Sequence, residues 1–479
     1  MALLIFVWLF SQPGWSRVFI GWTEQQIPPA QTLGVRDLAI SWGGGHSPLL
    51  AAAKKQGYNV YVEVTPEQAK AAADASVARG LAGIIVKAPG TEPSPNAASG
   101  MANTGSIDGF IKRLRAAYPG LSVRLLQPGG KQPAMRGTMV VDRNGVLEVS
   151  SPTQQPWIDS NVALIRFERT YHPRETPIVD FEWTLADSVE KQYGPPREDY
   201  ELAVAEAGAF HADLILPLHQ HFQNELAQGN PEGLEAWSEI RRTVEFYAQG
   251  DEKQKMTLIS NVGVITGDYD SSYEAMNLMA RHNIPFRLVK PRDLESNQLD
   301  GMALIAIFSP LNLAAAQAVE RFAAKGGTAV LVGQQGNFPW HSGQPVHKNS
   351  EAAVYKVETG KVVEIAAPIV NPEPFAKDVW GLLPDAEREL SLWNALTTLA
   401  AAYGETGGSG VLVSLVNYSG QAIRVQARVQ GSFSQAQYET PEQGCCVSLK
   451  TVEQNGFTEF IVPSLHVGGR VHLSGAKSR

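Results

Sequence analysis

Cysteine is almost missing from this chain. There are two in 479 residues, Cys445 and Cys446, side by side. Adjacent cysteines rarely bond each other, because disulfide geometry needs separated Cα atoms. A disulfide scaffold is therefore excluded, and neither thiol has the setting of a nucleophile. Long apolar runs are also lacking: residues 3–10 (LLIFVWLF) fall far short of a bilayer span, and no later run comes closer. Positive charge is not in surplus. The net charge is -8 and no basic block exceeds a few residues, which disfavours nucleic acid and anionic membranes as partners. Internal repeats and low-complexity tracts are absent.

What is present is an ordinary globular composition, 44% hydrophobic and 18% charged, on a chain too long for one core. The apolar run at residues 3–10 is followed by small residues at Gly14 and Ser16, so residues 1–16 read as a signal peptide cut after Ser16. The expected compartment is secreted or periplasmic. Residues 17–250 alternate short strands with helical stretches. Strands are predicted at 18–22, 37–42, 59–64, 83–88, 121–127, 162–168, 178–184 and 212–218, and helices at 66–79, 106–118 and 198–209. That count and size fit a (β/α)8 TIM barrel, with a doubly wound sheet as the rival. The connection after the fifth strand carries a predicted hairpin around Arg143-Asn144-Gly145.

Residues 256–403 repeat an α/β pattern of flavodoxin type. Strands are predicted at 262–266, 304–308, 328–333 and 361–367, and helices at 272–282, 313–325 and 386–402. After a glycine-rich break, residues 410–479 read as a small antiparallel β-sandwich, with strands at 411–418, 422–430, 447–452 and 458–462.

The barrel strands carry the functional signal. In Ile178-Val179-Asp180-Phe181-Glu182-Trp183, Asp180 and Glu182 share one face and the apolar residues the other. Ile165-Arg166-Phe167-Glu168 alternates in the same way. By this parity the expected lumen holds Tyr61, Glu63, Lys87, Arg124, Arg166, Glu168, Asp180 and Glu182. Burying charges together is costly unless they are paired or functional. Trp22, Trp42, Trp157 and Trp183 stand at strand ends or in the insertion loop, with Asp159 beside Trp157 and His219 and His221 past the last strand. Aromatic faces stack on sugar C–H groups while charged groups grip hydroxyls, so an oligo- or polysaccharide is the expected ligand. The bland reading is a set of inter-strand ion pairs filling a polar barrel centre.

A barrel, an amidotransferase-like domain without its catalytic cysteine (Ile307-Phe308-Ser309-Pro310 occupies the comparable stretch) and a terminal β-sandwich resemble family 42 β-galactosidases and related clan A glycoside hydrolases. Leu412-Val413-Ser414-Leu415-Val416-Asn417-Tyr418 is similar to the opening of that family's last domain. The resemblance implies a glycosidase needing no cofactor, with an acid/base at the end of strand four and a nucleophile at the end of strand seven. Glu182 matches the second position. Strand four ends in Lys87-Ala88 without the Asn-Glu pair, Glu92 being the nearest carboxylate, and Glu168 or Glu63 would substitute. Asp180 and Glu182 as a like-charge pair would keep one carboxyl protonated. Two alternatives stand beside this: a non-catalytic glycan-binding or cell-surface protein on a degenerate barrel, and a metal-dependent hydrolase using His219 and His221 with His46 or His211. The amidotransferase-like domain is a candidate surface for homo-oligomers.

Overall fold

The computed structural model describes residues 16–44, 47–88, 104–136, 140–143, 146–149, 156–248, 256–294, 297–367, 372–405 and 409–476. Residues 1–15 of the expected signal segment, His46 and Glu92 lie outside the described residues.

The first part is a parallel barrel of seven strands: β1 (Val18–Gly21), β2 (Asp37–Ser41), β3 (Asn59–Val64), β4 (Gly83–Lys87), β5 (Ser122–Leu126), β6 (Ile178–Val179) and β7 (Asp213–Pro217). Their order is β6-β7-β1-β2-β3-β4-β5, a nearly closed ring. Each strand turns one face to a ring of helices and the other to the barrel interior. One inward residue from each strand forms a separate apolar layer there: Phe19, Ala39, Tyr61, Ile85, Leu126, Ile178 and Ile215. This is the layered filling of a TIM barrel, with seven strands in place of eight among the described residues.

The missing strand is the sixth expected one. Residues Val162–Tyr171 form an α-helix instead. The apolar/charged alternation that suggests a strand spans only Ile165 to Glu168. Over the whole segment the buried residues Val162, Ile165, Leu164, Phe167 and Glu168 recur at three- and four-residue spacings, which is helical periodicity. The helix lies outside the gap between β5 and β6. Across that gap Arg124 Nη2 donates to the Thr176 carbonyl at 2.8 Å. The predicted hairpin after β5 is present, Val140–Arg143 pairing antiparallel with Val146–Val149.

The second sheet has a parallel core in the spatial order Arg287–Val289, Val262–Ile265, Leu304–Ile307, Thr328–Val332, Gly360–Ile365. In chain order this is 2-1-3-4-5, the flavodoxin-type arrangement. An antiparallel pair, Ala352–Val357 and His347–Lys348, extends its edge.

The predicted helix at 386–402 is not formed. Strands Leu390–Trp393 and Thr398–Glu405 replace it and join the C-terminal sheets. Thr398–Tyr403 is buried at every position, and an unbroken apolar run of that kind does not distinguish helix from central strand. The β-sandwich comprises a six-stranded and a four-stranded sheet. Cys445 and Cys446, against expectation, are paired with each other.

One contiguous apolar core runs from the barrel exterior into the second sheet and the sandwich. Among the described residues, no helix is long and apolar enough to cross a membrane.

Candidate active site

Two ionic layers lie above and below the apolar filling of the barrel. The lower one, at the N-terminal strand ends, is closed. Arg17 pairs with Asp37 at 2.7 Å and accompanies the Tyr61 hydroxyl at 3.0 Å, while Arg124 pairs with Asp213 at 2.8 Å. Asp213 also accepts from the Arg17 backbone N–H. Burial raises the Asp213 carboxyl above its usual range, against the pull of Arg124. Arg124 and Tyr61 do face the interior as their parity predicts. Arg124 belongs to this base, beneath the apolar layer, while Tyr61 lies in that layer with its hydroxyl turned down to Arg17, so neither stands at the mouth. Asp213, Arg17 and Asp37 escaped the sequence reading, although each sits at a strand start on the inward parity.

The upper layer is at the C-terminal mouth, where barrel active sites sit. It consists of Glu63 at the end of β3, Lys87 at the end of β4 and Asp180 just past β6. Lys87 Nζ lies 2.6 Å from Glu63 Oε2 and 3.2 Å from Asp180 Oδ2. The Lys87 side chain keeps 45% of its exposure, Asp180 25% and Glu63 9%, so the lysine is the most open of the three. Burial raises the Glu63 carboxyl above its usual range; Lys87 opposes this and Asp180 adds to it. For Lys87, burial works downward, but attraction to Glu63 and Asp180 prevails and its proton is held more tightly than usual.

The backbone fixes this geometry. Gly130 packs directly against the Asp180 backbone carbonyl, where a Cβ would collide. The Trp42 N–H donates to the Glu63 carbonyl at 2.9 Å, which carries β2 onto β3 past the strand end. Trp183 donates from Nε1 to the Pro217 carbonyl, and its ring packs edge-on against Phe181 and Tyr200. Trp42 and Trp183 remain half-buried at the rim.

The other expected site residues are dispersed. Glu182 lies beyond the two-residue β6 and is exposed, so the strand end presents Asp180 inward in its place. Arg166 and Glu168, being helical, are outside the barrel. Arg166 is half-buried, its guanidinium over the Phe286 ring at 4.3 Å, and Glu168 is bonded to His172 Nδ1 at 2.9 Å. Trp22 is 1% exposed, with Nε1 bonded to the carbonyls of Glu24 and Gln26, and is core, not a stacking platform. Trp157 and Asp159 bond each other on the short strand Trp157–Asp159, where Arg136 pairs with Asp159 and Arg281 covers the Trp157 ring. His219 caps the helix Gln220–Gln228 by accepting from the His221 N–H, and burial together with the charge of His221 holds its imidazole below the ordinary value. His221 pairs with Glu225 at 3.5 Å. The two histidines thus serve one helix start and do not converge with His211, which is buried at the end of the helix Arg197–Phe210.

The molecule so defined is a three-part protein on a TIM-type barrel with a paired ionic cluster at its mouth. No protein-family model matches the sequence, and no curated protein matches it either. Solved structures do. The α-L-fucosidase isoenzyme 2 from Paenibacillus thiaminolyticus superposes with a TM-score of 0.56 at 12% identity, covering 96% of this chain and 100% of that one. A β-galactosidase from Rahnella sp. R3 gives a TM-score of 0.47 at 11% identity, over 91% of this chain and 95% of that one. The first shows that the fold is shared from end to end.

Proposed function

We propose that this chain is a glycoside hydrolase whose reacting groups are Asp180 and Glu63, with Lys87 between them. The observation that carries this reading is the convergence of two carboxyl groups on one ammonium at the barrel mouth. The end-to-end likeness to a fold that serves an α-L-fucosidase supports it. Glycoside cleavage needs one carboxyl protonated and one ionised. Glu63, raised by burial, suits the acid. Asp180, at the position the clan uses for its nucleophile, takes the second role. Because both oxygens contact the same nitrogen, at 2.6 Å and 3.2 Å, their separation cannot exceed the two contacts laid end to end. That falls short of the ~6.5 Å at which inversion through water begins, so retention is the expected stereochemistry. Trp42 and Trp183 at the rim would flank the sugar. Residues 1–16 would direct the protein to a secreted or periplasmic location.

A second reading is favoured by one specific feature. Lys87 stands where the clan carries its acid/base, and it occupies both carboxylates. On that reading the barrel binds a glycan without cleaving it. Incubation with a panel of aryl glycosides and oligosaccharides separates the two: hydrolysis that disappears in Asp180→Asn supports the enzyme, and saturable binding without turnover supports the binding protein.

A further inference from the structure

We propose that Cys445, Cys446 and Glu439, the last oriented by His472, form a binding site for a zinc-class divalent cation, opened when the two cysteines are reduced. The site lies on the sandwich, outside the barrel. It is built by three strands of one sheet, Phe433–Thr440, Gly444–Leu449 and Gly468–Ala476, with Gly444–Leu449 at the edge.

The pairing register explains how adjacent cysteines address one point. Tyr438 pairs with Val447 and Thr440 with Gly444. Between those pairs a single residue, Glu439, opposes two, Cys445 and Cys446. This is a two-against-one β-bulge, a device that re-aims side chains at sheet edges. In a regular ladder consecutive side chains alternate between faces. Here the bulge brings both sulfurs to Glu439, and the three ligand atoms lie within 4.8 Å of one another. His472, on the strand across from Glu439, places Nε2 2.9 Å from Glu439 Oε1 and so orients that carboxylate from behind. Both cysteines are exposed, so an ion has a path in.

The charge balance fits a dication. Two thiolates and one carboxylate, offset by the buried Arg470 guanidinium 3.7 Å from Glu439, leave a net charge of two negative. Two sulfurs and a carboxylate supply three ligands of a tetrahedral zinc site, with a water in the fourth position, and thiolates disfavour calcium and magnesium. Opening the site requires a reductant. A phosphine gives the disulfide two electrons and takes the oxygen of one water molecule, while the two protons of that water complete two thiols. Each thiol then releases its proton to solvent as the ion binds.

The test uses the full chain reduced with a phosphine and titrated with Zn²⁺ by calorimetry and with Cd²⁺ by ultraviolet absorbance. The expected result is one ion per chain, about two protons released per ion, and a thiolate-to-cadmium band. The oxidised chain and the double variant Cys445→Ser/Cys446→Ser should give neither. If the double variant does not fold, alkylating both thiols of the folded wild type takes its place. Glu439→Gln and His472→Ala should each weaken binding by about tenfold or more. Absence of the band in the reduced wild type would overturn the site, as would equal Zn²⁺ affinity in the oxidised or alkylated protein. Because none of these residues is near the barrel mouth, the outcome is independent of the hydrolase reading.

Discussion

Lys87 meets Asp180 across the mouth of the barrel, Nζ to Oδ2 at 3.2 Å, joining the end of β4 to the strand that follows the helical interruption. Since Lys87 also holds Glu63 at 2.6 Å, one ammonium bridges both carboxyl groups that the proposed reaction uses.

Lys87→Met should therefore alter the pH profile before anything else. Lys87 pulls the Glu63 carboxyl downward, against burial. Removing it lets the carboxyl rise further, so a reaction needing protonated Glu63 retains activity to higher pH. The alkaline limb of kcat/KM is expected to move upward. A limb that stays in place, or moves down, would show that Glu63 is not the acid.

Gly130→Ala tests the positioning of Asp180 without touching a charge. The added methyl would run into the Asp180 carbonyl, and a carboxyl displaced by about 1 Å costs on the order of 10²-fold in rate. The expected outcome is that fall in kcat with the far-ultraviolet circular dichroism unchanged. Full activity in a folded Gly130→Ala protein would detach Asp180 from the chemistry.

Much of the upper layer was legible in the sequence. Glu63 and Lys87 alternate with apolar neighbours on strands that the structure reproduces, at Asn59–Val64 and Gly83–Lys87. What parity could not supply was depth. Arg124 shares the inward face with Lys87 but sits at the opposite end of the barrel, against Asp213. Likewise Asp180 and Glu182 share a face, yet β6 ends at Val179, so only the nearer one points inward. The helix Val162–Tyr171 was misread because four alternating residues imitate a strand, and its β-branched and aromatic residues favour one. Phe433–Thr440 and Gly468–Ala476 went unrecognised because glycine and polar residues interrupt or dilute their apolar alternation.

Arg166 offers a test of that helix. Its guanidinium is buried, Nη1 has no hydrogen-bond partner, and burial lowers its pKa to about 10. An apolar side chain of similar length avoids the desolvation of a charge. Arg166→Met is expected to be neutral or more stable by up to about 4 kcal/mol, read from denaturant unfolding. A lumenal, ligand-gripping Arg166 would instead leave stability alone and reduce activity.

Glu206 ties the barrel to the sandwich. It accepts from Asn161 Nδ2 at 2.6 Å and from the Tyr418 hydroxyl, and burial pushes its carboxyl up to about 7. A carboxyl whose folded pKa lies above its unfolded value keeps its proton longer in the folded state, so it lowers stability as pH rises between about 4.5 and 7. Glu206→Gln lacks that loss. Its stability relative to wild type should improve through this window by at most roughly 3 kcal/mol and stay level above it. A difference independent of pH would mean that Glu206 has the same pKa in the folded and unfolded states.

The most direct test of the central claim is the turnover of a glycoside panel by wild type, Glu63→Gln and Asp180→Asn, with folding checked by thermal melting. Hydrolysis of at least one substrate by wild type, with retention at the anomeric carbon, is the expected result. Glu63→Gln should lose about 10²–10⁴-fold in kcat, and Asp180→Asn should lose at least as much. Undiminished hydrolysis in either folded variant, or no hydrolysis by wild type of any glycoside that it binds, would contradict that claim.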